Sequence, residues 1–280
     1  MNDVLSQVSF MVKQALNEDI GTGDVTASLL PHDLLVDAEI ISREPMLVCG
    51  QPWVNEVFKQ VDDSIDIDWK VSEGEWLSTK ASLCNLQGPA RSILTAERTA
   101  LNFLQTLSAT ATQTHRYVQQ LKGTKARLLD TRKTIPGYRL AQKYAVLLGG
   151  GHNHRLGLYD AFLIKENHIK ACGSVTNAIQ KARESNNQLF IEVEVETLDE
   201  LREALEASPD RVLLDNFTLD RYIQAVSMNK VKQTKLEASG GITIENIAEV
   251  AKTGVDYISV GDITKSIKAI DLSLLVREVL

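Results

Sequence analysis

The sequence predicts an α/β protein with an antiparallel sheet in its first part and a parallel β/α barrel in its second. Between residues 36 and 86, short alternating or β-branched stretches are separated by glycine and acidic turns, which is typical of antiparallel strands. After Gly123 a different unit repeats: a short apolar strand, a polar or glycine loop, and a helical stretch. Strands that alternate with helices indicate a parallel sheet with right-handed crossovers.

Two helices frame the first part of the chain. Residues 3–18 carry apolar side chains at a helical period, which predicts an amphipathic helix. Residues 21–26 follow as a turn. Residues 95–120 contain neither glycine nor proline and keep apolar side chains at helical spacing, so we expect a long helix that joins the two parts.

Six strands are predicted in the second part, at residues 127–130, 161–165, 189–195, 211–215, 236–239 and 257–261. Their apolar sequences fit burial on both faces, and their number suggests a small or incomplete barrel, with a doubly wound open sheet as the alternative. Most of these strands end in a residue able to do chemistry, as happens where one site is assembled at the C-terminal mouth of a barrel. These residues are Asp130, Lys165, Glu194, Asp215, Ser239 and Gly261. The barrel is therefore favoured.

Composition excludes several classes of protein. With 44% hydrophobic and 24% charged residues, the chain is unlike disordered, collagen-like or disulfide-scaffold sequences. Its apolar runs are far shorter than the roughly 20 residues of a transmembrane helix, and its start lacks the pattern of a secretion signal. We therefore expect a cytoplasmic protein without a membrane partner. Cys49, Cys84 and Cys172 are scattered and odd in number, which predicts small buried hydrophobes.

Positive charge is concentrated in the middle of an acidic chain. The net charge of −7 argues against a nucleic-acid or anionic-membrane binder. From Arg91 to Lys170, however, thirteen Lys and Arg residues stand against four Asp and Glu, and four of the five histidines also lie there. We call this segment the basic island. It predicts a pocket for a small polyanion, with chance clustering on a surface as the alternative.

Glycine loops follow the last two predicted strands. Ser239-Gly240-Gly241 precedes a predicted helix at residues 245–253, and Gly261 ends the last strand. Glycine lets the backbone approach a ligand closely, and a helix N-terminus offers free N–H groups to an anion. This is also the usual phosphate position of β/α barrels. The two loops together predict phosphate binding.

Cationic residues cluster after the first strand of the barrel and again after a triple glycine. Arg132 and Lys133 form the first cluster, and His152, His154 and Arg155 form the second. Arginine can grip a carboxylate or phosphate through two parallel hydrogen bonds. The His-x-His pair could bind a metal, but no acidic or thiol residue lies close to it along the chain. Orientation of an anion or a structural hydrogen bond is therefore favoured.

Lys165 and the acidic residues of the next strands have more than one interpretation. Lys165 could form a Schiff base or pair with Glu194 or Asp215, and the sequence leaves both roles open. Glu192, Glu194 and Glu196 share one face of a strand, and carboxylates inside a barrel need cations. Glu194 and Asp215 are therefore predicted as partners for Lys165 and as ligands of a Mg²⁺ ion that also binds substrate phosphates. Solvated carboxylates are the alternative.

Eight segments of the chain, taken in order, resemble one known family. They are residues 18–26, 96–102, 130–134, 149–160, 163–168, 192–194, 213–216 and 237–242. Each glycine loop alone is a weak signal, but the eight together run almost from end to end. The chain resembles the quinolinate phosphoribosyltransferases, also called nicotinate-nucleotide pyrophosphorylases (carboxylating).

The resemblance implies a fold and a reaction. The fold is an N-terminal α/β sandwich domain at residues 1–110 and an incomplete parallel β/α barrel at residues 111–270, and it allows the tail at residues 270–280 to return to the first domain. The reaction joins quinolinate to phosphoribosyl pyrophosphate with Mg²⁺, and gives nicotinate mononucleotide, pyrophosphate and CO₂ in NAD biosynthesis. Both substrates are polyanions, which fits the basic island.

The resemblance also implies which residues bind quinolinate. By similarity, Arg132, His154 and Arg155 hold its carboxylates. Lys133 and Lys165 lie nearby and are expected to be catalytic as well as substrate-binding.

The phosphoribosyl side of the site is implied in the same way. Glu194 and Asp215 face the ribose and the metal and are expected to be catalytic. Arg98 reaches into the site of a partner subunit, so a homodimer is implied. The 5′-phosphate is expected to lie against Ser239, Gly240, Gly241 and Gly261.

Two other classes of function are left as alternatives. One is a paralogue with the same fold that acts on another aromatic acid or serves a molybdenum-transport locus, although intact Arg132, His154 and Arg155 argue against it. The other is a Schiff-base lyase or aldolase built on Lys165, or a polyanion-binding protein without catalysis.

Overall fold

The computed structural model describes residues 6–229 and 233–280. The helices are α1 (Val8–Ile20), α2 (Gln51–Val61), α3 (Ala90–Gln120), α4 (Arg139–Leu148), α5 (Glu166–Cys172), α6 (Val175–Ser185), α7 (Leu198–Ala207), α8 (Leu219–Met228), α9 (Ile247–Lys252) and α10 (Asp262–Lys265). The strands are β1 (Leu35–Ser42), β2 (Met46–Leu47), β3 (Asp66–Trp69), β4 (Trp76–Leu77), β5 (Ala81–Pro89), β6 (Arg127–Leu129), β7 (Ala161–Ile164), β8 (Phe190–Val195), β9 (Arg211–Asp215), β10 (Lys235–Ser239), β11 (Tyr257–Ser259) and β12 (Leu272–Val279). The fold is of the predicted α/β class.

The chain divides into two compact units. The first comprises residues through Gln113 together with Leu140–Gly149 and Ile267–Leu280, and the second comprises Thr114–Arg139 and Gly150–Ser266. None of the helices in the described part of the chain is long and apolar enough to cross a membrane.

The first unit contains a four-stranded antiparallel sheet in the order β12-β1-β5-β3. Strand β1 alternates between buried and more exposed residues, as a sheet with one covered face requires. The C-terminal strand β12 pairs with β1 from Val36 opposite Val279 to Ser42 opposite Leu272. The last residues of the chain thus complete the sheet that its first residues begin.

Helix α2 lies within the segment that the sequence pattern assigned to antiparallel strands, so that assignment was wrong for Gln51–Val61. Its buried residues, Trp53, Val54, Val57 and Phe58, recur at the spacing of one helical face. Pro52 stands in the first turn, where a missing N–H breaks no hydrogen bond. These two signals mark a helix, but the glycine and acidic turns on either side obscured them.

The second unit contains six parallel strands in the order β6-β11-β10-β9-β8-β7, with a helix after most of them. The two ends of this order are β6 and β7, so within the described residues the ring of strands is incomplete. Strand interiors are apolar on both faces, for example Val212 and Leu214 on one face and Leu213 on the other. The parallel β/α arrangement that the alternation predicted is confirmed.

Element boundaries differ from the sequence prediction at several points. Strands β6, β7 and β11 end one or two residues earlier than expected, so Asp130, Lys165 and Gly261 follow their strands. The start of the predicted N-terminal helix, at residue 3, lies outside the described residues, and α1 begins at Val8. Helix α3 begins at Ala90, before the predicted residue 95, and runs for 31 residues.

Candidate active site

A cavity of about 460 Å³ opens at the carboxyl ends of the parallel strands. Its lining comprises Thr131, Arg132, Lys133, His154, Arg155, Leu163, Lys165, Glu194, Leu213, Asp215, Glu237, Ser239 and Ser259. Four of these side chains are cationic (two Arg, two Lys) and three are carboxylic. The structure thus brings together the basic island and the acidic strand ends that sequence analysis treated separately.

Two guanidinium groups lie close together in this cavity. Burial is the largest cause that lowers the pKa of Arg155, and the positive charge of Arg132 lowers it further. Arg155 donates from Nη1 to the carbonyl of Ala161 at 3.2 Å, which fixes one edge of its guanidinium. The Nε of Arg132 is buried and has no hydrogen-bond partner within the protein. Two like charges in one cavity are favourable only when an anion lies between them.

Lys133 and Gly261 meet at the wall of the cavity. The backbone of Lys133 is held at both ends, since its N–H donates to Thr131 Oγ1 at 3.1 Å and its carbonyl accepts from Thr264 Oγ1 at 2.8 Å. A Cβ at Gly261 would lie 3.0 Å from Lys133 Cδ. The glycine therefore leaves space for the lysine side chain as well as for any ligand.

Lys165 forms an ion pair with Glu194 across the mouth of the barrel. Its own backbone N–H donates to His168 Nδ1 at 3.0 Å, which fixes the start of α5. Of the roles left open for Lys165, the ion pair is the one present in this structure. Schiff-base chemistry needs an amine that is free to attack a carbonyl, whereas the Lys165 amine contacts the Glu194 carboxylate here.

Asp215 carries a perturbed carboxyl group on the strand next to Glu194. Burial raises the pKa of Asp215, the charge of Glu194 raises it further, and Lys165 and Lys133 lower it. Asn216 donates from Nδ2 to Asp215 Oδ2 at 2.9 Å. Two partly buried carboxylates that repel each other, beside two lysines, are suited to sharing one cation.

The loop after β10 is shaped by glycine, as predicted. Gly240 has a φ of +90°, and a Cβ there would collide with the side chain of Asn216. Ser239 lines the cavity, and its carbonyl accepts from Asn216 N–H at 2.9 Å. Gly241 has a φ of +61° and its Cβ position is open. Gly240 and Gly241 thus adopt backbone conformations that glycine accepts readily and that residues with a Cβ rarely adopt.

The helix predicted at residues 245–253 is shorter than expected. Helix α9 spans only Ile247–Lys252, and residues 242–246 form a turn. Within that turn Asn246 accepts from the Thr243 N–H at 2.9 Å and donates to the Gly241 carbonyl at 3.0 Å. The helix therefore begins two residues later than predicted, and the Ile247 N–H donates to the Thr243 carbonyl at 3.1 Å, so a helical turn still follows these glycines.

His154 is held on the floor of the cavity by contacts that the sequence did not reveal. Its Nε2 lies 2.8 Å from Glu192 Oε2, and its Nδ1 accepts the backbone N–H of Arg155 at 2.7 Å. Its own N–H donates to the buried carboxylate of Asp130 at 2.7 Å. No acidic residue lies close to His154 along the chain, but the fold brings Glu192 within hydrogen-bond distance of its ring.

A buried ionic layer, formed by Glu192, Arg211, Glu237 and Ser259, lies one strand step below the cavity mouth. Glu192 precedes Glu194 by two residues and Glu237 precedes Ser239 by two, so each pair shares a strand face. Arg211 Nη1 donates to Glu237 Oε2 at 2.5 Å.

Sequence analysis predicted no role for the residues of this layer beyond the shared face of Glu192 and Glu194. The available signal was a charged residue at every second position of otherwise apolar strands.

The carboxyl groups of this layer are strongly perturbed. Burial raises the pKa of Glu237 to about 7, the charge of Glu192 raises it, and His154 and Arg211 lower it. Burial likewise raises the pKa of Glu192. The Oε1 atoms of both carboxyls and the Oγ of Ser259 have no hydrogen-bond partner within the protein by distance and angle.

Five predicted residues do not line this cavity, namely Gly240, Gly241 and Gly261 in the loops after β10 and β11, together with Arg98 and His152. Arg98 is on α3 in the first unit, with its side chain 61% exposed and its nearest ion-pair partner, Glu97, at 3.9 Å. His152 is exposed, and its backbone forms a bridge to Leu129 beside β6. Neither residue lines the cavity.

Comparison with known proteins identifies two matching domain families. The family described as quinolinate phosphoribosyl transferase, C-terminal domain, matches residues 110–275, and its N-terminal counterpart matches residues 24–108. A protein named probable nicotinate-nucleotide pyrophosphorylase [carboxylating] from Bacillus subtilis (strain 168) is 40% identical over 268 residues, covering 94% of this chain and 92% of that protein. The one from Mycobacterium leprae (strain TN) is 40% identical over 272 residues, covering 94% and 95%.

A solved structure supports the same assignment. The nicotinate-nucleotide pyrophosphorylase from Francisella tularensis superposes with a TM-score of 0.94 at 51% identity, covering 99% of this chain and 97% of that one. The sequence matches and the structural match each extend over nearly the whole chain. The chain therefore belongs to the quinolinate phosphoribosyltransferase family.

Proposed function

We propose that this chain transfers the phosphoribosyl group of phosphoribosyl pyrophosphate to quinolinate and releases CO₂, giving nicotinate mononucleotide and pyrophosphate in NAD biosynthesis. The activity is that of a pentosyltransferase, EC 2.4.2.19. It is the activity named for the relatives that match this chain over nearly its whole length.

The observation that carries the proposal is the pair of guanidinium groups in the cavity. Arg132 and Arg155 both line the cavity. Burial first and the charge of Arg132 second lower the pKa of Arg155, and the buried Nε of Arg132 has no partner within the protein. Quinolinate carries two carboxylates on adjacent ring carbons, so it can engage both guanidinium groups at once. A monocarboxylate would leave one of the two charges uncompensated in a buried site.

The opposite wall of the cavity is suited to the phosphoribosyl group. Ser239 lines the cavity and is followed by the glycine turn, and Lys133 offers a point charge for phosphate in the same cavity. Glu194 and Asp215 offer carboxylates to the ribose. The 5′-phosphate cradle is therefore proposed at Ser239, Gly240, Gly241 and Gly261.

Mg²⁺ is proposed as the cofactor, held by Glu194 and Asp215 together with substrate phosphates. Their oxygen donors are of the kind that Mg²⁺ prefers, and burial, followed by the charge of Glu194, raises the pKa of Asp215. When bound, the ion neutralises the leaving pyrophosphate. Lys165 already shares Glu194, so the lysine can neutralise that carboxylate where the ion does not.

Transfer itself requires charge stabilisation at the ribose. As pyrophosphate leaves, positive charge develops at the anomeric carbon, and the carboxylates of Glu194 and Asp215 stabilise it electrostatically. Arg132 and Arg155 orient quinolinate so that its ring nitrogen faces that carbon. The nitrogen lone pair then forms the new bond.

Decarboxylation follows without a further cofactor. After ribosylation the ring nitrogen carries a positive charge, which stabilises the electron pair left on the adjacent ring carbon when the carboxylate on that carbon leaves as CO₂. The protein's part is to hold the ring while this bond breaks. The electron pair on the carbon then takes up one proton from solvent.

The proposed assembly is a homodimer in the cytoplasm. Arg98 is exposed and only loosely paired within its own unit, which leaves its guanidinium available to the site of a second subunit. The proposed role of Arg98 is to add a cation beside the quinolinate of that partner.

The direct test is turnover with quinolinate, phosphoribosyl pyrophosphate and Mg²⁺, with nicotinate mononucleotide and CO₂ followed together. Both products are expected with quinolinate and neither with nicotinate. A folded dimer that forms no product would favour the paralogue with another acid. Borohydride trapping of Lys165 with an aldol-type substrate would instead support the lyase, which the Lys165–Glu194 ion pair argues against.

A further inference from the structure

Arg211 enters the barrel from the end opposite to the candidate active site. It is the first residue of β9, whose last residue is Asp215. Its guanidinium carbon lies 5.0 Å from the centre of the Phe190 ring and 4.3 Å from the centre of the Tyr257 ring. Both aromatic faces attract the positive charge and hold it in the barrel interior.

The guanidinium of Arg211 lies next to two buried carboxylates. Nη1 lies 2.5 Å from Glu237 Oε2 and 3.8 Å from Glu192 Oε1. The side chains of Glu237 and Glu192 are 0% and 2% exposed. Two carboxylates so close together in a buried site repel each other, and a cation placed between them offsets that repulsion.

The same carboxylates hold the ring of His154. Its Nε2 lies 2.8 Å from Glu192 Oε2 and 3.8 Å from Glu237 Oε1. Because its Nδ1 accepts the backbone N–H of Arg155, the ring proton is on Nε2 and is donated to Glu192. A chain of charged contacts thus runs from Arg211 to the cavity wall.

We propose that Arg211 is a positioning residue for quinolinate. By neutralising Glu192 and Glu237, it allows Glu192 to fix the ring of His154, and through that ring the backbone of Arg155, in the orientation that binds the substrate. The inference rests on the proposed function, since it names quinolinate as the ligand whose binding Arg211 supports.

A metal ion at this cluster is a weaker explanation of the same geometry. His154, Glu192 and Glu237 offer ligand atoms within 4.8 Å of one another, as a metal site would. However, the guanidinium of Arg211 already lies 2.5 Å from the Glu237 carboxylate. A divalent cation there would be repelled by it. Arg211 is the cation of this cluster.

The test is the effect of Arg211→Met on the two Michaelis constants. This change keeps an unbranched side chain and removes the charge. We expect the KM for quinolinate to rise at least about tenfold, and the KM for phosphoribosyl pyrophosphate to change less than about twofold, because only the quinolinate side depends on His154 and Arg155. Arg211→Lys keeps the charge and is expected to have a smaller effect.

Two further variants separate positioning from a merely structural role. In Arg211→Met with Glu237→Gln, the charge balance of the cluster is restored, and the KM for quinolinate is expected to return to within about threefold of the wild-type value. Lys235→Met is the matched control, because Lys235 pairs with Arg211 in the sheet register and its side chain is 50% exposed. It removes a cation at the same level of the barrel and should leave both KM values unchanged.

Specific results would overturn the inference. Equal rises in both KM values, or lower thermal stability with both KM values unchanged, would make Arg211 structural only. Failure of the double variant to recover quinolinate binding would do the same. If wild-type protein does not use quinolinate, the proposed function itself fails, so wild-type turnover is measured first.

Discussion

Two regions of this protein hold carboxylates that are wholly or partly removed from solvent, and the two sets differ in how many of their oxygens accept hydrogen bonds. In the first unit, partly buried Glu73 accepts the N–H groups of Gly50 and Gln51 at 2.9 and 3.1 Å and the hydroxyl of Tyr144 at 3.0 Å. In the barrel, one oxygen each of Glu192 and Glu237 has no hydrogen-bond partner within the protein. The first set of contacts is complete, whereas the second is not.

This difference indicates that Glu73 supports the fold, whereas Glu192 and Glu237 belong to the candidate site. Glu73 lies at the start of α2 and satisfies backbone donors there, so its burial stabilises the fold. Glu192 and Glu237 lie beneath a cavity that also holds the unpartnered Nε of Arg132. A buried polar group left without a partner is costly, and such groups cluster where a ligand is bound. Removing Arg132, whose Nε is without a partner, should therefore harm binding, and removing a hydrogen bond of Glu73 should harm stability.

The largest expected effect is that of Arg132→Ala. It should lower kcat/KM for quinolinate about a hundredfold, because a charge-assisted contact to a buried carboxylate is lost. The affinity for phosphoribosyl pyrophosphate should change far less, and the stability should be nearly unchanged. Steady-state kinetics measure kcat/KM for quinolinate, and a binding titration measures the affinity for phosphoribosyl pyrophosphate. Equal loss for both substrates would refute the assigned role.

Arg98→Ala extends the comparison to an exposed cation of the first unit. If Arg98 serves the site of a partner subunit, this variant should lose activity about thirtyfold, although Arg98 lies outside the cavity. Mixing inactive Arg98→Ala and Arg132→Ala proteins should restore about a quarter of wild-type activity, because each mixed dimer has one intact site. No recovery after subunit exchange would place Arg98 and Arg132 in the same subunit's site.

Glu73→Gln should have the opposite profile. The amide NH₂ cannot accept hydrogen bonds, so at least one buried donor loses its partner, at a cost of about 2 kcal/mol in the free energy of unfolding. Urea unfolding measures this loss, and Tyr144→Phe should lose about 1 kcal/mol. Both KM values should stay at their wild-type levels. A large rise in either would show that the satisfied carboxylate also supports the site.

The smallest expected effect is a pH dependence at Glu237. Its folded pKa of about 7 is above its ordinary value of 4.5, so the folded state favours the protonated form. Its contribution to stability is therefore fully present below about pH 4.5 and is lost as the pH rises to about 7.

Glu237→Gln carries no titrating group at this position. Relative to this variant, wild-type protein should lose on the order of 1 kcal/mol of stability between pH 5 and pH 8. Urea unfolding of both proteins across that range measures the difference. A difference that does not change with pH would contradict the raised pKa.

Much of the fold followed from the sequence because the barrel strands are short apolar runs between strong turn signals. Strand β9 was predicted to the residue at Arg211–Asp215. Helix α2 was missed because its neighbours are strands, and the helix after Gly241 was placed two residues too early because a turn at residues 244–246 precedes it.

His154 and Arg155 were predicted from the cluster after the triple glycine, and the other predicted residues of the cavity were found because they stand at or just after strand ends. Arg132, Lys133, Lys165, Glu194 and Asp215 were found in this way, and all five line the cavity.

Arg211 and Glu237 could not be predicted as a site, because Arg211 begins its strand and Glu237 precedes the glycine turn. Only the sheet register brings their strands side by side.

The central claim is that two guanidinium groups make this cavity selective for a dicarboxylate. Calorimetric titration of the wild-type protein with quinolinate and with nicotinate tests it most directly. The account predicts that quinolinate binds at least about a hundredfold more tightly, and that Arg132→Ala removes most of this preference. Equal affinities for the two acids would contradict the account.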